Sequence, residues 1–467
     1  MSKMNSEQMG KMPMNRLVLT LSVPMMISMF VQSLYNVVDS IFVAQISEEA
    51  LAALSLAFPI QMLMIAIQVG SGVGMNAELS KRLGENNRKL ASAAANNGVF
   101  LGFVHYGLFL IFGLLFIRPF FELQTDNPEI VRYGMEYTVL ITTLSVGKFM
   151  QFVYERILQS TGRTFYTMIT QGTGAILNIA LDAILIFGLL GFPAMGVYGA
   201  AIATIIAQIT SAIMAFVINA KVNTDVDMEY RTFRPDFKVI KRIYSVGIPS
   251  MVMTSITSLV TLLFNNILLQ FTSTATAVYG VYIRLQGFAF MPVFGLNNGM
   301  IPIVSYNYGA KNKERMILAI KICLGYGESI MLLGTVLFQL FPEQFLLLFN
   351  ASDEMMELGV AALRTISLSF AFAGISIMLG TVFQSLGNPM LSLWIQVIRQ
   401  LIVLIPVAYA LSLTGNVNMV WWSKLISEGV TVVFALIAMK YVYSKKIDPM
   451  TDAEPKKRKL KKQFVTK

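Results

Sequence analysis

Asp39 and Asp182 lie in apolar parts of the sequence and are the side chains best suited to do chemistry. No lysine or arginine occurs between residues 17 and 75, so Asp39 stands in a strongly apolar stretch. Spacings of three and four residues place it on one helix face with Gln32, Tyr35 and Asn36. A carboxylate in mid-membrane costs about 2.5 kcal/mol or more and is rare without a function. We interpret Asp39 as an ion or proton site; the alternative is a hydrogen bond to a neighbouring helix.

Asp182 follows Asn178 by four residues, a spacing that puts both side chains on the same face of a helix. Two carboxylates and an amide supply the oxygen ligands that a hard cation such as Na⁺ prefers. The same carboxylates, desolvated and close together, cannot easily both ionise and could instead hold a proton. Either property would couple an ion gradient to a conformational change. For Asp182, too, an interhelical hydrogen bond is the structural alternative.

Other polar or adaptable side chains in the apolar stretches allow two interpretations each. Glu155 either forms an ion pair with Arg156 or Arg163 or contacts a substrate. Lys148 could pair with one of the two aspartates in one conformational state. The 30 methionines, Met291 among them, suit a surface that binds flat, apolar and often cationic molecules. Ordinary packing is the alternative for each methionine.

The composition indicates a polytopic membrane protein. The 467-residue chain is 55% hydrophobic and 13% charged, whereas soluble domains have about 25% charged residues. A membrane-spanning helix needs about 20 apolar residues. We therefore predict an all-α fold with twelve transmembrane helices, at residues 16–45, 52–77, 92–117, 134–158, 164–190, 196–219, 243–270, 276–303, 317–341, 358–383, 390–413 and 419–442.

The scarcity of cysteine and histidine narrows the classes of function. A single cysteine, Cys323, and a single histidine, His105, allow no intrachain disulfide and no Cys/His metal cluster. The sequence contains no G-x-x-x-x-G-K-[ST] motif, which argues against ATP as the energy source. A membrane enzyme would depend on an aspartyl mechanism, and neither aspartate has the sequence context of one. We predict that the protein is not an enzyme and needs no cofactor.

Lysine and arginine cluster at both termini and in alternate loops. These clusters lie within residues 3–16, 81–89, 221–242, 311–315 and 456–462, and the loops between them carry acidic residues or no charge. The positive-inside rule then predicts an even number of spans with both termini in the cytoplasm. The net charge of +10 follows from this topology, and the basic tail suits anionic lipid headgroups rather than nucleic acid.

The sequence repeats itself with an offset of 225 residues, so that Pro24 corresponds to Pro249 and Gly70 to Gly295. The register continues from about residue 24 to about residue 162. This predicts two six-helix lobes related by a parallel repeat. The predicted parts are a cytoplasmic N-terminus at 1–15, an N-lobe at 16–219, a linker at 220–242, a C-lobe at 243–442 and a basic cytoplasmic tail at 443–467.

The acidic residues do not follow the repeat. Positions 39, 155, 178 and 182 correspond to Phe264, Gly380, Val403 and Val407. A residue needed only for the fold would be expected in both copies, whereas a functional site needs only one. The asymmetry therefore favours a functional role for the polar residues of the first half.

Together these motifs resemble those of the multidrug and toxic compound extrusion (MATE) transporters over about residues 10–445, and look most like the MepA-like branch near the DinF group. The resemblance rests on Pro24, the polar face that ends at Asp39, Gly70-x-x-x-Gly74, Glu155-Arg156-x-x-Gln159-Ser160-x-Gly162 and Asn178-x-x-x-Asp182. It implies a V-shaped pair of six-helix lobes. It also implies export of drugs, often organic cations, in exchange for H⁺ or Na⁺ by alternating access.

The resemblance also implies roles for individual residues. Pro24 matches a proline at which the first helix is proposed to bend. The family's cation site, which would bind the metal if the ion is Na⁺, corresponds to Asp39, Asn178, Asp182 and Thr204. Glu155 matches an acid that the MepA-like branch is thought to need for transport. From the sequence itself, substrate binding or coupling is also expected of Gln32, Tyr35, Asn36 and Met291. The seventh, eighth and tenth apolar stretches contain no acid before Glu357, so coupling is expected in the first half.

We therefore expect a bacterial inner-membrane antiporter that acts as a monomer on small organic molecules. The alternative within the same superfamily is an exporter of lipid-linked saccharides. Such proteins tend to have extra helices and a strongly cationic cavity, so the twelve apolar stretches and the central acids favour the antiporter.

Overall fold

A computed structural model describes residues 6–229, 233–349 and 351–450, apart from the side chains of residues 36, 37, 40, 44 and 48. Within these ranges the chain is helical with short connections and contains no β-strand. The first half forms α1 Met14–Ala44, α2 Glu48–Gly84, α3 Arg88–Leu115, α4 Ile117–Glu122, α5 Pro128–Thr143, α6 Val146–Ser160, α7 Thr164–Phe187 and α8 Gly196–Val222. The predicted all-α class is confirmed.

The second half repeats this order of helices. It forms α9 Phe237–Leu269, α10 Ser273–Gly309, α11 Lys313–Leu340, α12 Pro342–Leu347, α13 Asp353–Ser367, α14 Phe370–Ser385, α15 Pro389–Val397, α16 Ile405–Ser412 and α17 Val417–Val442. A π-helical stretch, Ile398–Leu404, joins α15 to α16.

Ten helical segments in the described part of the chain are long and apolar enough to cross a membrane. Helices α13 and α14 together form one further candidate span, bent by 47°. The predicted stretch at 134–158 corresponds to α5 and α6, which are separate helices. Lys148, Glu155 and Arg156 lie in α6 and reduce the apolar character of this pair. The polytopic architecture is confirmed, but hydropathy did not predict the divided helices.

Each half breaks a predicted helix within one residue of the same place in the repeat. Ser145 separates α5 from α6, and its hydroxyl donates to the carbonyl of Thr142 at 2.7 Å. Ser369 separates α13 from α14, and its hydroxyl donates to the carbonyl of Ile366 at 2.7 Å. Serine hydroxyls that bond to a nearby carbonyl compete with the helical ladder and favour a bend.

The residues that cap the N-termini of the long helices also follow the repeat. Ser47 caps the N-terminus of α2, and Thr272 caps that of α10. Asn87 and Asn312 cap α3 and α11 in the same way. Each such cap stabilises its helix by about 1 kcal/mol. The repeat thus determines where helices begin as well as which faces are apolar.

The two halves are joined by reciprocal contacts of α1 with α10 and of α2 with α9 and α10. A Cβ atom on Gly84 would lie 1.9 Å from the carbonyl oxygen of Tyr306, and one on Gly309 would lie 2.1 Å from that of Lys81. Lys81 and Tyr306 are themselves related by the repeat. Only glycine allows backbones to approach this closely. The C-terminal ends of α2 and α10 are therefore in direct backbone contact.

The interiors of the two halves differ. In the second half one continuous cluster of buried apolar side chains includes Phe264, Phe370 and Trp421. In the first half the buried apolar residues form several smaller clusters. The space between these smaller clusters holds the polar site.

Candidate functional site

Helices α1, α7 and α8 bring the predicted cation ligands together. Asp39 is on α1, Asn178 and Asp182 are on α7, and Thr204 is on α8; α7 packs against both other helices. The side chains of Asp182, Asn178 and Thr204 are 0%, 2% and 6% exposed. Residues chosen from sequence spacing, together with Thr204 from the family resemblance, therefore share one region.

Asn178 links Asp182 to Thr204. With the amide oriented so that its oxygen faces the donors of Thr204, it accepts from Thr204 N at 3.1 Å and from Thr204 Oγ1 at 3.3 Å. Its nitrogen then donates to Asp182 Oδ2 at 2.9 Å. The amide thus fixes the position of one carboxylate oxygen relative to the hydroxyl on α8.

The other oxygen of each carboxylate lacks a hydrogen-bond partner. Asp182 Oδ1 and Asp39 Oδ1 are both buried without one. The two carboxylates also lie close enough to repel each other. Buried polar atoms are nearly always paired, so two unpaired carboxylate oxygens at one place are a suitable receptor for a cation or a proton.

The ligand set is too sparse for a tightly held divalent metal. The described residues contain no group of three or more His, Cys, Asp or Glu side chains that could hold a metal ion. Two carboxylates with an amide and a hydroxyl instead suit a weakly bound, exchangeable Na⁺ or a proton.

Two tyrosines border the carboxylates. Tyr35, predicted from the spacing on α1, and Tyr137 on α5 both lie within electrostatic range of Asp39 and Asp182. Sequence reasoning did not identify Tyr137. A tyrosine in an apolar stretch resembles a packing residue, and its repeat partner, Ala362, is a buried core residue. The first copy has a tyrosine hydroxyl here and the second copy has none. This difference was the signal in the sequence that could have identified Tyr137.

A cavity of about 320 Å³ opens beside the carboxylate pair. Asn178 and Thr204 line it and so connect the carboxylate site to the cavity. Its wall combines apolar side chains with an unusual number of glutamines: Gln32, Gln61, Gln68, Gln151, Gln159, Gln171 and Gln208. This volume and mixed lining are those of a site for a small organic molecule.

The predicted substrate residues divide into two groups. Gln32, Tyr35 and Glu155 line the cavity, whereas Met291 on α10 does not. The side chain of Asn36 lies outside the described residues. Pro24 lies inside α1, which continues without interruption through it.

Glu155 is held by neutral donors. Its carboxylate accepts hydrogen bonds from Gln151 Nε2 at 3.0 Å, Thr170 Oγ1 at 2.8 Å and Gln171 Nε2 at 2.7 Å. An ion pair with Arg156 or Arg163, one of the two alternatives from the sequence, is absent from the described contacts. The carboxylate faces α7, and the guanidinium groups of the two arginines have other partners.

Arg156 and Arg163 form their hydrogen bonds with other residues. Arg156 donates to Gln159 Oε1 and to Asn298 Oδ1, both at 2.8 Å, and the second bond reaches into the second half of the chain. Arg163 forms a buried ion pair with Asp225, between α8 and α9.

The second half has no equivalent of the carboxylate site. Phe264, at the repeat position of Asp39, is fully buried and lies 4.6 Å from Tyr279 between ring centroids. The ammonium of Lys424 lies 5.1 Å from the Phe264 ring. Aromatic packing therefore fills the space that the carboxylates occupy in the first half.

Comparison with known proteins agrees with this architecture. The sequence model of the MatE family matches residues 24–184 and again residues 249–410. The chain is 26% identical over 409 residues to an FAD transporter of Shewanella oneidensis, covering 85% of this chain and 88% of that protein. It is 25% identical over 436 residues to the multidrug export protein MepA of Staphylococcus aureus, covering 93% and 94%.

A solved structure has the same fold. It is an outward-facing conformation of a multidrug resistance MATE family transporter, which matches with a TM-score of 0.89 at 27% sequence identity. The match covers 95% of this chain and 98% of that one.

Proposed function

Because the chain belongs to the MatE family of multidrug efflux transporters, we propose that it exports drug-sized organic compounds, often cationic, in exchange for H⁺ or Na⁺ by alternating access. The observation that carries this proposal is the connection of an ion-binding group to a ligand cavity. Asp182 and Asp39 each have a buried, unpaired oxygen. Asn178 bonds to both Asp182 and Thr204, and Asn178 and Thr204 line the cavity.

The residues shared by the ion site and the cavity couple ion binding to substrate binding. A cation at Asp39 and Asp182 removes their mutual repulsion and lets α1 and α7 approach each other. Such movement changes the cavity, because Tyr35 on α1 and Asn178 on α7 line it. Ion and substrate then favour different conformations, and each reduces the affinity for the other by the same factor. Pro24, which removes one backbone hydrogen bond from α1, is the point at which this helix would bend.

A drug-sized substrate fits the cavity better than a lipid-linked saccharide. The volume of about 320 Å³ lies at the lower end of the 300–1,000 Å³ of ordinary small-molecule sites. The S. oneidensis relative carries FAD, which means that membership of the family does not by itself define the substrate. Met25, Met29 and Phe152 supply adaptable and aromatic surface for organic rings.

The proposed orientation places both termini in the cytoplasm of a bacterial inner membrane. Basic residues stand where α2 leads into α3 and where α10 leads into α11, as the positive-inside rule requires. We propose a monomer, since the cavity and the carboxylate site are formed by one chain, and we propose no nucleic-acid partner.

Dye efflux from proteoliposomes tests this function. Purified protein is reconstituted with ethidium or rhodamine 110, and a Na⁺ gradient or a pH gradient is imposed in separate experiments. We expect one of the two gradients to accelerate dye movement above that in protein-free liposomes, and the other to have no effect. If neither gradient moves either dye, the proposal of ion-coupled export is wrong.

A further inference from the structure

The cavity wall carries an ammonium group, that of Lys148, which forms no ion pair with any described side chain. This inference rests on the proposed function and concerns the chemistry of its substrate. Helix α6 presents one face to the cavity, on which Lys148, Phe152 and Arg156 follow at intervals of four residues. The two cations are separated by two helical turns, about 12 Å.

Arg156 already has partners, whereas Lys148 has none among the described residues. Arg156 is bonded to Gln159 and Asn298, and its guanidinium lies 4.6 Å from the Phe152 ring. Lys148 lines the cavity and forms no hydrogen bond or ion pair with any described residue. Glu155, which is the acid of the cavity lining, is occupied by Gln151, Thr170 and Gln171.

Helices α2 and α6 run side by side in the same direction. Ser80, near the end of α2, donates from Oγ to the carbonyl of Ser160 at the end of α6, at 3.0 Å. Two turns earlier in both helices, Gly72 faces Phe152: a Cβ atom on Gly72 would lie 2.4 Å from the Phe152 ring. This alignment fixes the level at which residues of α2 face those of α6.

Gln68 lies one turn before Gly72, and Lys148 lies one turn before Phe152, so they face the same level of the cavity. Gln68 is 4% exposed, lines the cavity, and its Nε2 has no hydrogen-bond partner. The Nε atom of Arg156 is likewise buried and unpaired. Lys148 and Arg156 can only donate, and the amide of Gln68 can turn its nitrogen to the same wall. An acceptor with negative charge would pair these groups.

We propose that Lys148, with Gln68, binds an anionic oxygen group of the transported compound. Among the organic compounds proposed above, the cavity therefore favours those that also carry a carboxylate or a phosphate over matched cations without such a group. A charge in mid-membrane is costly unless it is paired, and a ligand carboxylate supplies that pairing. Charge-assisted hydrogen bonds from an ammonium and an amide to one carboxylate are among the stronger polar contacts.

Rhodamine 110 and rhodamine 123 form a suitable pair of probes, because rhodamine 123 is the methyl ester of rhodamine 110. They share the cationic ring system and differ in the free carboxylate. Binding to detergent-purified protein is measured by fluorescence anisotropy, independently of transport. We expect the acid to bind at least fivefold more tightly than the ester.

Variants of Lys148 test whether its charge causes the preference for rhodamine 110. Lys148→Gln is expected to reduce the ratio of the two affinities to within twofold by weakening only rhodamine 110. Lys148→Arg should retain the preference. Lys221→Gln, at an exposed lysine near the end of α8, is the matched control and should behave as the wild type. Size-exclusion elution of each variant verifies folding.

Two results would overturn the inference. One is equal binding of the two dyes by the wild-type protein, which needs no variant to fold. The other is a Lys148→Gln protein that keeps the preference but loses transport of both dyes, as expected if Lys148 instead pairs with Asp39 or Asp182 in another conformation. Normal binding preference without gradient-driven transport would contradict the proposed function and leave this inference standing.

Discussion

Thr204 is the proposed ligand whose contribution to the proposed cation site can be isolated most cleanly. Its hydroxyl and backbone amide both face the oxygen of Asn178, which in turn holds Asp182. Thr204→Val keeps the shape of the side chain and removes the hydroxyl. We expect the concentration of coupling ion that gives half-maximal efflux to rise about tenfold, equivalent to about 1.4 kcal/mol.

Thr204→Ser provides the matched control, because serine retains the hydroxyl and loses only a methyl group. It should leave the dependence on the coupling ion within about twofold of the wild type, less than 0.5 kcal/mol. Equal ion dependence for the valine and serine variants would exclude Thr204 as a ligand. Efflux rates at several ion concentrations in proteoliposomes supply the measurement.

A second prediction at the scale of residues concerns stability. Arg163 and Asp225 form an ion pair in which the side chains are 3% and 14% exposed. Asp225→Asn would leave the arginine buried without its counter-charge. We expect the free energy of unfolding to fall by about 3 kcal/mol, visible as a lower Tm of the detergent-purified protein.

Asp227→Asn is the control for this change. Asp227 pairs with Arg88 at 2.6 Å, but these side chains are 61% and 57% exposed. Exposed pairs contribute about 1 kcal/mol or less, so the Tm should hardly move. A similar loss of stability in both variants would mean that burial does not decide the strength of these pairs.

Sequence spacing was sufficient to predict part of the site. The intervals between Gln32, Tyr35 and Asp39, and between Asn178 and Asp182, define faces of single helices, and those faces meet in the structure. The partners of Glu155 were not predictable in this way. They depend on how α6 packs against α7, which no local pattern determines.

At the scale of elements, glycines control how closely helices from the two halves approach. Gly309→Ala introduces a Cβ atom where the carbonyl oxygen of Lys81 lies 2.1 Å away. We expect the C-terminal ends of α2 and α10 to separate, since a rigid backbone atom cannot move aside. Spin labels at the exposed positions 89 and 311, in a Cys323→Ala background, measure this by pulsed electron resonance.

Gly280→Ala on the same helix is the control, because a Cβ atom there has no neighbour within 4 Å. Its label distances should match those of the wild-type background. An unchanged distance distribution in Gly309→Ala would show that the close contact does not hold these helix ends together.

The helix breaks mark the limit of sequence prediction at this scale. Apolar periodicity and composition predicted the long helices, and the repeat predicted their correspondence. Ser145 and Ser369 break two of the predicted spans. Both serines lie in apolar stretches of the sequence. The sequence does not distinguish a serine whose hydroxyl bonds to its own helix from one whose hydroxyl bonds to a neighbouring helix.

At the scale of the whole molecule, a symmetric scaffold carries an asymmetric site. The repeated caps, breaks and glycine contacts make the two halves alike. Asp39 and Asp182 have no acidic counterparts at the repeat positions, where the second half has Phe264, which is buried, and Val407. We infer that the scaffold supplies the movement of the halves and that the first half supplies its coupling to an ion.

The most direct test of this coupling is efflux by the Asp182→Asn protein in proteoliposomes. Asparagine keeps the size of the side chain and removes the negative charge that would hold the ion. We expect the variant to insert and to elute as the wild type does, while gradient-driven dye efflux falls to the level of protein-free liposomes. Efflux by Asp182→Asn at the wild-type rate, under the gradient that drives the wild type, would contradict coupling at this site.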